Sequence, residues 1–352
     1  MEAASVTASA PARRFALGEF VSRYGLILVL AVMPIAFAID DLTAQGDLSR
    51  LGNNLVDGVS NGSIWALVAI GYTLVYGIIE LINFAHGEVF MIGSFVAVGV
   101  AGSLGLTLAT GTTGLIIGLF ASMLVAMVAC GSLNVMIERV AYRPLRHAPR
   151  LAPLITAVGF SFILQNVGLL WKGGAQQGVP DFVESQNQLF DVAGIVVTNG
   201  DVLAISATLP LVFLMTWFIS ASRLGKAMRA TAQDPEASRL MGINVDTTIS
   251  LTFLLGGLLA GAAGLIYALY QTTIWYFHGF NAGLIAFTAA VMGGIGNVRG
   301  AVLGGLIIGF IQQMSDNRIG AEWTPAIVFA YLVLIMVFRP QGLVGEETRE
   351  AG

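Results

Sequence analysis

Apolar residues run along this chain in blocks of about twenty, the length that carries an α-helix across a bilayer, with short polar or glycine-rich joints between them. Ten such blocks are predicted: Tyr24 to Ile39, Leu55 to Ile79, His86 to Leu104, Thr112 to Ile137, Leu151 to Trp171, Val202 to Ser220, Ile249 to Tyr270, Leu284 to Ile295, Ala301 to Met314 and Thr324 to Phe338. The first is short and Leu284 to Ile295 shorter still, so eight to ten spans are expected, with a broken or re-entrant segment near 278–300. The fold class is all-α, a polytopic transmembrane bundle. Residues 1–22 read as a disordered cytoplasmic tail, 23–340 as the membrane domain and 341–352 as a second cytoplasmic tail. Ala36-Phe37-Ala38 after an apolar core also imitates a signal-peptidase site, so removal of residues 1–38 is an alternative.

Composition supports this class. Of 352 residues 56% are hydrophobic and 11% charged, against about 25% charged in an average soluble domain. Ten alternating spans put both termini on one side. Arg13, Arg14 and Arg23, the cluster from Arg139 to Arg150, the cluster from Arg223 to Arg239, and Arg299, Arg339 and Arg349 share that side, leaving Arg50, Lys172 and Arg318 on the other. The positive-inside rule makes the terminal side cytoplasmic. The single cysteine and three histidines argue against a disulfide or a structural metal site. His147 and His278 are read as solvated loop groups.

The most informative polar interruption is Leu81 to Gly93, which sets Asn83, His86 and Glu88 between two apolar runs. An ionisable side chain at the centre of a membrane helix costs about 2.5–3.5 kcal/mol on insertion scales. Two arrangements fit: a tight polar turn solvated at the membrane face, or a broken helix whose polar groups line a path through the protein. On the second reading Asn83, His86 and Glu88 line that path with Tyr72 and Tyr76.

Gly71-Tyr-Thr-Leu-Val-Tyr76 resembles Ala262-Ala-Gly-Leu-Ile-Tyr267, and Gly114-Leu-Ile-Ile-Gly118 repeats as Gly305-Leu-Ile-Ile-Gly309 at the same offset. The paired segments run in opposite directions, as in an inverted repeat, which places a transport route between two halves. Gly257 with Gly261, and Gly296, Gly300 and Gly304, have the four-residue spacing that lets helix backbones approach in lipid. Met292-Gly-Gly-Ile-Gly-Asn297 invites a break, equally a plain turn or a hinge.

Two loops on the basic side carry structure. Glu138 to Arg150 is basic and interrupted by Pro144, suited to lying on anionic headgroups or simply to anchoring the topology. Arg223 to Asp246 predicts a short amphipathic helical piece with Asp234 as N-cap, Pro235 in the first turn, Glu236 at the positive helix end and Gly242 as terminator.

Within that loop, Glu236-Ala-Ser-Arg-Leu-Met-Gly242 resembles the ATPase-docking loop of ABC importer permeases. With Gly71-Tyr-Thr-Leu-Val-Tyr-Gly77, Ile82-Asn-Phe-Ala-His-Gly-Glu88, Glu138-Arg-Val-Ala-Tyr-Arg-Pro-Leu-Arg146 and Phe287-Thr-Ala-Ala-Val-Met-Gly-Gly-Ile-Gly296, it makes the chain similar, from about Asn54 to Gly345, to the H-type permeases of branched-chain amino-acid ABC importers. Ser238 replaces the second alanine of the general loop, and the N-terminal extension through Asp47 is longer than the family leads one to expect. The resemblance implies a non-enzymatic transport subunit of a bacterial inner membrane. It also implies as partners a homologous M-type permease, two cytoplasmic ATPases and a periplasmic binding protein, with no nucleic acid. It assigns ATPase contact to Glu236, Ala237 and Gly242, supported by Arg229 and Asp234. No Gly-x-x-x-x-Gly-Lys-Ser/Thr loop occurs in the sequence, so ATP and Mg would be bound by the partner ATPases, with no cofactor in this chain. Permeases for urea, short amides or aromatic and carboxylic acids are alternatives within the class. An ion-coupled secondary transporter or channel using His86 and Glu88 is the alternative outside it.

Overall fold

The computed structural model describes residues 17–44, 46–146, 148–149 and 151–345. Most of the expected N-terminal tail, residues 346–352, His147 and Arg150 lie outside the described residues. The helices are α1 (Leu17–Ala44), α2 (Ser49–Ile79), α3 (His86–Ser103), α4 (Thr112–Ile137), α5 (Leu151–Lys172), α6 (Asn199–Ala221), α7 (Arg223–Gln233), α8 (Pro235–Leu240), α9 (Val245–Gln271), α10 (His278–Gly293), α11 (Val298–Arg318) and α12 (Thr324–Phe338). Every predicted span has its helix. Among the described residues, seven helices are long and apolar enough to cross a membrane, and α12 is a shorter apolar one.

Three expectations change. The helix read as starting at Leu284 starts at His278, because the segment holding Asn281 and two glycines folds as a continuation packed against α3. His278 is accordingly no solvated loop group: it is buried, stacks on Tyr267 at 5.2 Å and lies 3.1 Å from the Ser94 hydroxyl. The basic loop after α4 is not free either. It continues as a π-helical turn (Glu138–Tyr142) and a 3-10 turn (Arg143–Leu145), with Tyr142 buried.

Helices α2 and α9 form the centre and contact each other. Each runs along a helix of the opposite half: α2 along α11, and α9 along α4. Small residues make this possible, since lipid supplies no apolar drive and closeness must come from shape. A Cβ on Gly305 would lie 2.6 Å from the Ala66 backbone, and one on Gly257 or Gly261 would lie 2.5 Å from the carbonyls of Cys130 and Ala126. Likewise α3 packs on α4 and α10 on α11, while α3 and α10 contact each other. This exchange of partners is the pairing expected of an inverted repeat with α2–α4 in one half and α9–α11 in the other.

The two ends of the bundle differ. At one, the α4–α5 junction is tied to α9 by ion pairs of Arg143 (3.0 Å) and Arg146 with Asp246, and Gly77 approaches Gly296. Gly294 and Gly296, both with positive φ, break the chain between α10 and α11 there. Leu343 and Val344 donate backbone hydrogen bonds to Met292 and Gly293 across the break. At the other end, strand β1 (Gln177–Gly178) pairs with β4 (Thr273–Ile274), and the hairpin β2 (Gln188–Val192) and β3 (Ile195–Thr198) is held to Asn53. Arg318 there grips Asp40 and Asp41 of α1. Amide contacts Asn61–Gln313 (3.1 Å), Gln271–Asn61 (3.3 Å) and Trp65–Gln312 (2.7 Å) join α2, α9 and α11 on that side.

Candidate functional site: a broken-helix polar cluster and an exposed capped helix

Glu80 adopts positive φ and ends α2, and the chain turns through residues 80–85 before α3 begins at His86. The His86 ring sits against Gly71, where a Cβ would collide with it, and edge-on to Tyr72 at 4.8 Å. Gly71 lies eight residues back from Ile79, so the His86 ring reaches a level roughly 12 Å inside the end of α2 at 1.5 Å per residue. Asn83, His86 and Glu88 are all at most 1% exposed. A turn solvated at the membrane face is thereby ruled out, because such a turn would leave these groups open to water.

The three polar residues differ in partners. The Asn83 side-chain amide donates to Asn134 at 3.1 Å, Asn134 donates to the Phe253 carbonyl at 2.6 Å, and the Tyr142 hydroxyl donates to the Ile82 carbonyl at 3.1 Å. Asn83 is thus a strut binding the re-entrant turn to α4 and α9. Both nitrogens of His86, and Oε2 of Glu88, have no hydrogen-bond partner among the described residues. Oε1 of Glu88 accepts only a 3.3 Å bond from Ser161 of α5. Buried polar groups are normally paired, so the unpaired carboxylate oxygen of Glu88, two residues from His86, is the candidate contact for another polar group.

Glycines bring α10 into this cluster. A Cβ on Gly279 would lie 2.5 Å from Glu88 Oε2, and one on Gly283 would lie 3.1 Å from the Tyr72 hydroxyl and 3.2 Å from Gly87. Tyr72 borders two small clefts. One, of about 40 Å³, is lined by Phe84, Val158, Ser161, Phe162, Phe280, Gly283 and Leu284, and the other by Tyr76, Ile82, Phe287, Ala290 and Ile295. A water molecule occupies about 30 Å³ of liquid, so the wider cleft is closed to an amino acid in this conformation. Tyr72, His86 and Glu88 are brought together, Tyr76 lies toward the α10–α11 break, and Asn83 faces the other way. Ser161 and Phe280 had no sequence signal: Ser161 stands singly within an apolar block, and Phe280 lies in the polar, glycine-containing joint before Leu284.

The second predicted group lies on α7 and α8. Asp234 Oδ1 accepts from the backbone N–H of Glu236 and Ala237, both at 2.9 Å, with Pro235 in the first turn. Gly242 takes φ +84, its N–H bonds the Arg239 carbonyl at 3.0 Å, and the Ile243 N–H bonds Ser238 at 3.0 Å. This pair of bonds is a Schellman stop, which requires a left-handed residue. Arg229 bonds the carbonyls of Ile219 and Ser220, fastening α7 to the end of α6 rather than pointing outward for a partner. Asp234, Glu236, Ala237 and Gly242 are exposed. So are Leu240 and Met241, at 90% and 83%, which the motif reading passed over. The capped helix has a firm root: Met228 and Thr231 are buried, and α7 packs on α2, α6 and α9. Through Asp246, Arg146, Glu138 and Ser250, the start of α9 is linked to the end of α4.

Among the described residues no group of histidine, cysteine or acidic side chains has the arrangement of a metal site. Comparison with known proteins agrees with the geometry. The family described as branched-chain amino acid transport system / permease component matches residues 54–337. The chain is 41% identical over 296 residues to the high-affinity branched-chain amino acid transport system permease protein BraD of Pseudomonas aeruginosa, covering 83% of this chain and 94% of the relative. It is 40% identical over 294 residues to the corresponding protein LivH of Escherichia coli K12, with the same shares covered. It is 28% identical over 296 residues to the ribose import permease protein RbsC of the same organism, covering 81% and 84%. No solved structure matches.

Proposed function

Because this chain belongs to the permease component family of branched-chain amino acid transport systems, we propose that it forms, with a homologous M-type permease, the path by which branched-chain or related hydrophobic amino acids enter the cell. Two cytoplasmic ATPases, which bind ATP and Mg, drive it, and a periplasmic binding protein delivers the substrate. The chain is not an enzyme, and it lies in the inner membrane with both termini cytoplasmic. The distribution of arginines supports that orientation.

The observation that carries the proposal is the lever. A capped helix with two apolar residues almost fully exposed at its tip stands beside an otherwise polar, basic face. Exposed apolar side chains of this kind mark a contact surface. A gradient-driven carrier has no use for it. Closure of the ATPases pulls α8, α9 transmits the movement, and the Asp246–Arg146–Glu138 linkage carries it to α4 and so to the turn braced by Asn83. Reorientation of α3 and α10 then opens the cleft at Tyr72. Its aromatic and aliphatic walls suit the side chain of a small hydrophobic amino acid, and Glu88 and His86 suit its charged end.

The test is uptake by the reconstituted five-part complex. Glu236→Lys or Gly242→Pro is expected to abolish ATP-driven uptake of leucine while the permease still folds and inserts. Unchanged uptake would remove the lever from the mechanism. Retention of a substrate other than branched-chain amino acids by the cognate binding protein would overturn the substrate class alone.

A further inference from the structure

A cavity of about 500 Å³ opens where the end of α4 meets the start of α9. Its mouth carries Arg139 and Arg143, and its inner wall Val135, Leu251 and Leu254. Arg139 is exposed and has no ionic or hydrogen-bond partner among the described residues. The one carboxylate at the mouth, Asp246, is held by Arg143 and Arg146, so the free charge there is the cation of Arg139. The N-terminus of α9, a helix of 27 residues, adds the positive end of its dipole on the same side. Beyond the cavity, the α4 surface continues as exposed apolar side chains, Val128 at 62% and Val125 at 47%.

We propose that this cavity binds an anionic phospholipid, its phosphate at Arg139 and an acyl chain in the groove between α4 and α9. Charge and placement agree: the arginines lie at the end of the bundle that carries the basic clusters, and Val135, Leu251 and Leu254 line the same cavity toward the middle of α4 and α9. A basic pocket between helices on the cytoplasmic side is the arrangement that selects anionic headgroups. A free phosphate would use the mouth and leave Val135, Leu251 and Leu254 without a role. The site abuts Asn244 and Thr247, just after Gly242, so a bound lipid braces the base of α9 on which the lever acts. Lipid binding itself requires only that the chain sit in a membrane and does not rest on the transport mechanism.

The test uses the full-length chain, purified in mild detergent and loaded from vesicles of phosphatidylcholine with phosphatidylglycerol, with retained lipid identified by native mass spectrometry. The wild type is expected to retain phosphatidylglycerol over phosphatidylcholine. Arg139→Ala is expected to lower that retention about fivefold, the effect of one arginine at an anionic surface, Arg139→Lys to preserve it, and Ser132→Trp to lower retention by filling the groove. Three results would overturn the proposal. They are equal retention by wild type and Arg139→Ala, thermal stabilisation by inorganic phosphate alone equal to that by phosphatidylglycerol, or loss of ATPase association in lipid-free detergent on Arg139→Glu, which would make Arg139 a protein contact.

Discussion

Leu240 and Met241 provide the sharpest quantitative expectation. Their side chains are 90% and 83% exposed, so almost none of their apolar surface is used within this chain. If the tip of α8 docks in a groove of an ATPase, that surface is buried on docking. At about 0.8 kcal/mol per buried CH₂ group, Leu240→Ala removes roughly 2 kcal/mol of docking free energy, about thirtyfold in affinity. The same substitution should hardly affect folding, because exposed changes outside caps and cores usually fall within about 0.5 kcal/mol. Alanine also keeps the helix, and the Asp234 cap and the Gly242 stop lie at other positions. The assay is equilibrium binding of the purified ATPase to the permease pair in nanodiscs, with thermal unfolding measured on the same preparations. A Leu240→Ala permease of unchanged stability and unchanged ATPase affinity would refute the docking role of the tip. Equal loss of stability and affinity would refute the claim that the side chain has no internal packing.

Other outcomes follow from the same structure. Arg146→Ala leaves the fully buried Glu138 without its cation and with only the Ser250 hydroxyl as partner, and loss of one partner of a buried pair should destabilise by about 3–5 kcal/mol. Arg143→Ala breaks a pair about half exposed on both sides, worth at most about 1 kcal/mol, so the two variants should separate clearly in thermal unfolding in detergent. Gly305→Val places a branched side chain where a Cβ alone would meet the Ala66 backbone at 2.6 Å; overpacking of about 1–3 kcal/mol is expected, and normal stability would contradict the close α2–α11 seam. Glu88→Gln keeps shape but removes the ionisable carboxyl and should slow uptake at least about tenfold, if the carboxyl meets a charged substrate group with the 1.5–3 kcal/mol typical of such bonds, while leaving ATPase binding intact; normal uptake would assign Glu88 to shaping the α3 turn only.

The sequence by itself determined the class of protein, the succession of helices and the ends of several of them. Run length, net polarity and caps are local properties: Asp234, Pro235 and Gly242 act on the backbone within a few residues, and the arginine distribution gives an expected sidedness without any packing. The motif around Asn83, His86 and Glu88 was legible as a place of tension because ionisable groups in an apolar run are costly wherever they end up. The tertiary structure alone decided what each residue touches there. Only folding sets Asn83 against Asn134 and Tyr142, His86 against Gly71, and Glu88 against Gly279 and Ser161, partners up to two hundred positions away. It also turned His278 from an assumed loop residue into a buried one and moved the start of its helix. The physical reason is that lipid and protein interior are equally apolar. Hydrophobic pattern therefore tells that a helix lies in the membrane but not which face meets lipid, a neighbour or a path, and that choice rests on the close shape fit of small residues from helices far apart in the chain.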